Sequence, residues 1–174
     1  MGYALAEAAA NLGAEVLLVS GPVSLTVNHP NIKKIDVISA HEMFTVCMEH
    51  FASCHAAVLV AAVADYSPER IEKQKMKSKA GEKVLRLKKT KDIAKSLGEI
   101  KTSRQQLIGF ALETDNEIRH AKEKLKNKNL DYIVLNSLND EHAAFQHDTN
   151  KITIIDKNGQ LAKYQLKSKK ALAY

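Results

Sequence analysis

The sequence predicts an α/β domain: a three-layer sandwich with a mostly parallel central sheet, helices on both faces and an antiparallel addition at one end. Three observations predict it. Short apolar segments alternate with longer segments of helical period, the order that builds parallel sheets. One segment, 56–64, is apolar on both faces, as strands in the middle of a parallel sheet are. Three apolar segments stop at a polar residue: Asp65 after AAVA, Glu113 after GFAL and Asn136 after YIVL. Parallel strands deliver their ends to one edge, which makes these three groups candidates for one crevice.

The elements follow in order. Residues 2–12 (GYALAEAAANL) place Leu5, Ala8, Ala9 and Leu12 at helical spacing, and Gly13 supplies the stop. A first strand would ordinarily precede this helix at the centre of the sheet. The expectation is therefore one domain over 1–174 that lacks its first strand and phosphate-binding loop. Residues 14–20 (AEVLLVS) read as a buried strand closed by Gly21-Pro22. Residues 32–38 (IKKIDVI) read as a second strand, more exposed because charges interrupt it. Ser39 and Glu42 form a capping box, and the helix they open turns Met43, Phe44, Cys47, Met48 and Phe51 inward. Cys47 is then a small core residue rather than a nucleophile.

After the apolar strand 56–64 comes a basic segment with a short strand at 84–87. Thr90 or Asp92 caps the next helix, which sets Ile93, Leu97 and Ile100 on one face. Residues 107–112 are another strand. Thr114 and Glu117 make a second capping box, for a helix that buries Ile118, Ala121 and Leu125. On it Lys124 and Lys128 stand one above the other. Residues 132–135 form a buried strand. Segments 152–155 and 161–166, joined through Asp156-Lys157-Asn158-Gly159, read as a C-terminal hairpin.

The formal charge of +6 is concentrated. Between Lys73 and Lys91 lie eight lysines and Arg86 against Glu82, a local charge of +8 that leaves the rest of the chain at −2. Cations arriving at a strand end suit a polyanion such as a nucleotide triphosphate; the plain alternative is a solvated loop. A basic nucleic-acid-binding module is a further alternative, but no aromatic residue interrupts these lysines to stack on bases. No G-x-G-x-x-G or G-x-x-x-x-G-K-[ST] occurs, which argues against a dinucleotide-dependent oxidoreductase. The seven histidines show no metal-binding spacing, so zinc is not expected, and no G-x-S-x-G elbow is present. No apolar run reaches the roughly 18 residues of a membrane span. Two cysteines without C-x-x-C spacing complete the expectation of a reduced, cytoplasmic protein.

Several motifs together resemble one family, phosphopantothenate–cysteine ligase (phosphopantothenoylcysteine synthetase), the C-terminal domain of the bifunctional coenzyme A biosynthesis flavoprotein. They are MGYALAEAAANLGAEVLLVSGPVSL at 1–25, AAVADY at 61–66, Lys75-Met-Lys77 and Thr90-Lys-Asp-Ile93. GFALET at 109–114, Lys124-Leu-Lys-Asn-Lys128-Asn129 and Asn136 complete the set. The resemblance covers nearly the whole chain. It implies a Rossmann-like three-layer sandwich with a lysine-rich dimerisation flap, and a homodimer.

The implied activity is a CTP-dependent ligation of 4′-phosphopantothenate to L-cysteine through an acyl-cytidylate, with Mg²⁺. The metal ligands are not identified. By the resemblance, Ala61, Ala62 and Asp65 border the nucleotide, and Phe110, Lys124 and Lys128 contact its base and phosphates. Thr90, Lys91, Asp92 and Ile93 add backbone or cap contacts, and Lys75, on the flap, stabilises charge at the reaction. FMN is not expected in this domain, although a flavin-dependent decarboxylase is often fused upstream. No nucleic acid or membrane partner is implied. The family carries an Asn and a Ser-Ser-Gly-Lys run just before the matching Met-Gly. Their absence implies an impaired ligase.

Overall fold

A computed structural model describes residues 1–70, 74, 84–113, 115–137 and 149–174. Helix α1 (Gly2–Asn11) is made of small residues and buries Ala6, Ala8 and Ala10. The expected face through Leu5, Ala9 and Leu12 is corrected, and Leu12 is exposed. The reason is that α1 is flanked on both sides, by strands β1 (Val16–Ser20) and β2 (Ile32–Asp36) and by the short helix α5 (Lys169–Ala173). Gly13, at φ +93, makes the turn that ends α1.

β1 and β2 pair in parallel from Val16↔Ile32 to Ser20↔Asp36. Helix α2 (Ala40–Phe51) follows, and its capping box forms. The Glu42 N–H donates to Ser39 Oγ, and Glu42 Oε2 accepts from the Ile38 N–H at 2.8 Å. Met43 and Phe51 are buried, while Phe44, Cys47 and Met48 pack at the margin of the core.

The remaining strands are β3 (Ala56–Leu59), β4 (Tyr66–Pro68), β5 (Leu87–Lys89), β6 (Gln106–Glu113), β7 (Tyr132–Ser137), β8 (Thr149–Asp156) and β9 (Leu161–Ser168). Between them lie α3 (Ile93–Ile100) and α4 (Glu117–Asn127). The main sheet has five strands in the order β3-β6-β7-β8-β9. Its first three are parallel, and β8 and β9 run antiparallel. The sheet is thus mixed rather than mostly parallel. β1-β2 and β4-β5 are separate two-stranded sheets.

Several expected boundaries also move. β3 ends at Leu59 rather than continuing to 64. Among the described residues it pairs only with β6, so it is an edge strand and Val58 is 46% exposed. The strand expected at 84–87 forms instead at Leu87–Lys89, where β4 supplies its partner. Thr114 lies outside the described residues. The N-cap of α4 is Asn116, in the left-handed region at φ 45 and without a side-chain cap bond, and the capping box expected between Thr114 and Glu117 falls with Thr114 outside the described residues. Ile118 and Ile100 share the spacing of the buried stripe of their helices but are exposed, each lying at a helix end one turn beyond the outermost buried residue.

The core lies on one face of the main sheet. Leu107, Ala111, Ile133, Leu135 and Ile155 meet α2, α3 and α4 through Phe51, Leu97, Ala121 and Leu125. Side chains alternate along a strand, so Ile108, Phe110, Val134, Asn136 and Ile152 belong to the other face. No helix among the described residues is long and apolar enough to cross a membrane.

Candidate functional site

β3, β6 and β7 are parallel and in register, so their carboxyl ends form one edge. Leu112 stands beside Asn136 and Glu113 beside Ser137. The loop beyond β3 carries Ala61, Ala62 and Asp65, all exposed. Thr90 closes this loop. Its N–H donates to the Asp65 carbonyl at 2.9 Å and its hydroxyl to the Ala64 carbonyl at 2.7 Å. Tyr66 pairs with Lys89 just beyond, so the chain leaves and returns at the same place.

Two steps further on, Asp92 caps α3 by accepting the Lys95 N–H at 3.0 Å. Between them the Lys91 ammonium lies 4.5 Å from the centre of the Phe44 ring, a cation–π contact that joins α2 to the site. Ile93 points the other way and is buried in the core.

α4 begins just after β6, so its N-terminus lies at this same edge. Helical side chains tilt toward the N-terminus. Lys124 and Lys128, one turn apart, therefore reach back toward the strand ends. Lys124 Nζ lies 2.5 Å from Glu113 Oε1, and Lys128 Nζ lies 3.0 Å from Asp92 Oδ2. Burial works to raise the Asp92 carboxyl. The Lys95 N–H and the hydrogen bond and charge of Lys128 outweigh it and hold that carboxyl below its ordinary range. Both lysines are matched to carboxylates, so the edge is polar and charge-balanced rather than uniformly positive.

The structure thus joins Asp65, Thr90, Lys91, Asp92 and Lys128 through contacts around one loop, with Lys124 a turn away. Phe110 is not among them. It alternates with Ala111 and so belongs to the sheet face opposite α4. Lys75 lies outside the described residues, and Ala61 and Ala62 are exposed on the loop beyond β3 without a polar side chain to join the others.

Sequence reasoning missed two residues. His120 places Nδ1 3.7 Å from Glu113 Oε2, and its spacing of four from Lys124 was the available signal. Asn150 is buried and donates to Asn136 Oδ1 at 2.9 Å. No local signal marks it, since only strand pairing brings 150 to 136. Among the described residues no group of three or more His, Cys, Asp and Glu is placed to hold a metal. Mg²⁺ carried by a nucleotide asks less of a protein, one or two carboxylates beside the phosphates. Asp65 fits that requirement: its carboxylate is exposed at the edge and no lysine engages it among the described residues.

The family model described as the DNA/pantothenate metabolism flavoprotein C-terminal domain matches residues 1–174. A cysteine/cysteine sulfinic acid decarboxylase from an unknown prokaryotic organism is 53% identical over 173 residues, 99% of this chain and 48% of its own length. The coenzyme A biosynthesis bifunctional protein CoaBC of Bacillus subtilis (strain 168) is 44% identical over 169 residues, 97% of this chain and 41% of its own length. The crystal structure of the C-terminal domain of CoaBC superposes with a TM-score of 0.81 at 37% identity, covering 98% of this chain and 75% of that one. The chain thus spans about half or less of the length of these curated relatives.

Proposed function

The chain belongs to the family of DNA/pantothenate metabolism flavoprotein C-terminal domains, and from that premise we propose that it is the ligase part of a coenzyme A biosynthesis enzyme. It joins 4′-phosphopantothenate to L-cysteine with consumption of CTP. One observation carries this reading beyond the family. Three parallel strands end on one edge, where Thr90 holds the 64–65 loop closed and α4 returns two ammonium groups. Open α/β sheets bind ligands at such an edge.

In this reading the substrate carboxylate attacks the α-phosphate of CTP, forming an acyl-cytidylate and releasing pyrophosphate. The cysteine amine then attacks the acyl carbon, CMP leaves, and an amide remains. Phosphoryl transfer is mainly a matter of position and charge. The Thr90 bonds hold the loop against which the nucleotide lies. Lys128 and Lys124 add cations to the phosphates, and Lys75 adds another at the reacting centre. An unperturbed lysine, with a pKa of about 10.4, serves there as a charge rather than a base. Mg²⁺, when bound, neutralises phosphate charge, and Asp65 would hold it. The reading includes a homodimer in the cytoplasm, and light scattering of the purified protein checks the oligomeric state.

The direct experiment measures pyrophosphate release with CTP and then ATP, in the presence of 4′-phosphopantothenate and cysteine. Cysteine- and CTP-dependent release supports the reading, and none with either nucleotide removes it. Lys75→Gln is expected to lower turnover by roughly a hundredfold with the fold unchanged, the size of a lost transition-state charge contact. An unaffected rate takes Lys75 out of the mechanism.

The decarboxylase name of the 53% identical relative favours a second reading. Decarboxylation releases CO₂ from cysteine alone and needs no nucleotide. A CO₂ measurement without CTP separates the two.

A further inference from the structure

The structure assigns Asn150 as a positioning residue that fixes the Asn136 carboxamide as a hydrogen-bond donor at the strand edge, on the sheet face opposite α4. The argument starts from the backbone. A backbone N–H can only donate, and the Lys151 N–H lies 3.1 Å from the Asn150 side-chain oxygen. That bond sets which way the Asn150 amide faces. Its NH₂ group then points at Asn136, 2.9 Å from the carboxamide oxygen. Asn136 is thereby oriented in turn, with its own NH₂ directed away from Asn150.

Strand geometry places the pair. Asn136 is directly opposite Ile152, and Asn150 is two residues earlier on β8, on the same face and diagonal to Asn136. The register between β8 and β9 shifts between Asn150 and Ile152, an irregularity of the kind that re-aims side chains near sites. Asn150 is only 3% exposed, which makes it a rigid support, whereas Asn136 is half-buried. Among the described residues no buried side-chain nitrogen or oxygen lacks a partner. The Asn136 NH₂ group has no partner among them, so it is not a buried group and is free to bond at the edge.

This inference rests on the ligase reading and extends it to the other side of the sheet. Glu113, Lys124 and His120 lie on the α4 side, while Asn136 is the polar end of β7 on the opposite side. A carboxamide NH₂ fixed in this way suits an anionic oxygen. The oxygen belongs either to a nucleotide phosphate or to the acyl group of the carboxylate substrate.

The test uses the full-length protein and three variants: Asn150→Asp, Asn136→Ala and the double change. Asn150→Asp replaces the donor by an acceptor of the same shape. The Asn136 amide then turns over and presents its oxygen where the donor stood. Turnover of the folded variant is expected to fall roughly a hundredfold, and its unfolding midpoint to drop as well because the new carboxylate is buried without a cation. The double variant is expected to be no slower than Asn136→Ala, because Asn150 acts only through Asn136.

CTP affinity and the KM for 4′-phosphopantothenate identify the oxygen, since the arm that weakens names the ligand. A folded Asn150→Asp variant with wild-type turnover overturns the proposal, as does a loss that adds in full to that of Asn136→Ala. If Asn150→Asp does not fold, Asn150→Ser enters the same cycle; it keeps a hydroxyl for the Lys151 N–H but is too short to reach Asn136. A wild-type protein that releases no pyrophosphate removes the ligase reading and this role of Asn136 with it.

Discussion

Asp131 shows how a single buried carboxylate ties the fold together at the edge opposite the candidate site. Its side chain is 7% exposed and Lys101, its partner at 2.7 Å, is 10% exposed. The Leu107 N–H donates to the same oxygen at 2.8 Å, and Lys157 stands 3.8 Å from the other. Burial works to raise this carboxyl. The Lys101 hydrogen bond, the Leu107 N–H and the charges of Lys101 and Lys157 outweigh it and hold the carboxyl below its ordinary range. A group whose pKa is depressed by folding stabilises fully above its unfolded value, about 3.9 for Asp, and stops doing so as pH falls through the folded value. The urea midpoint of the wild type is therefore expected to drop on acidification below about pH 4. Asp131→Asn should cost about 3 kcal/mol at pH 7, because it strands a buried lysine, and should flatten that acid limb. A variant with the wild-type pH profile would count against this assignment. None of this was legible locally, since Lys101, Leu107, Asp131 and Lys157 are distant in sequence.

At the scale of elements, α3 and the end of α4 touch backbone to backbone, and Gly98 permits it. A methyl group at that position would overlap the Lys128 carbonyl. Asn129, at φ 50, turns the chain after α4 and donates to the Gly98 carbonyl at 2.8 Å. The same approach brings Lys128 within reach of Asp92. Gly98→Ala is expected to destabilise the protein by about 3 kcal/mol, at the upper end for overpacking, and, on the proposed ligase function, to weaken CTP binding by loosening that pair. Calorimetry and a nucleotide titration on the same sample check both, and a neutral substitution would refute the contact. The helices themselves were largely readable. Ser39 and Glu42 announced α2, and Asp92 announced α3, because caps are local chemistry. α4 was readable as well, with Ala121 and Leu125 buried as expected, but not its N-cap Asn116, whose left-handed conformation no capping pattern marks, and α5 was not anticipated.

Over the whole molecule, β7 has partners on both sides, whereas β3 and β1 each have one among the described residues. Hydrogen exchange should follow this division. Amides 133–135 are expected to exchange only on global unfolding, and β3 amides turned away from β6 should exchange orders of magnitude faster. Equal protection in β3 would show a further partner on that edge. The alternation of apolar and helical segments, the polar strand ends and the Ala64-Asp65 to Thr90 motifs were enough for the α/β class and for one edge as the candidate site. They express local period and local chemistry, which a chain carries with it. Pairing did the rest. It made the sheet mixed, left β3 at an edge, put Phe110 on the face away from Lys124 and Lys128, and brought Asn150 to Asn136. Strand order and register depend on contacts between residues far apart in sequence, so only the tertiary structure decided them.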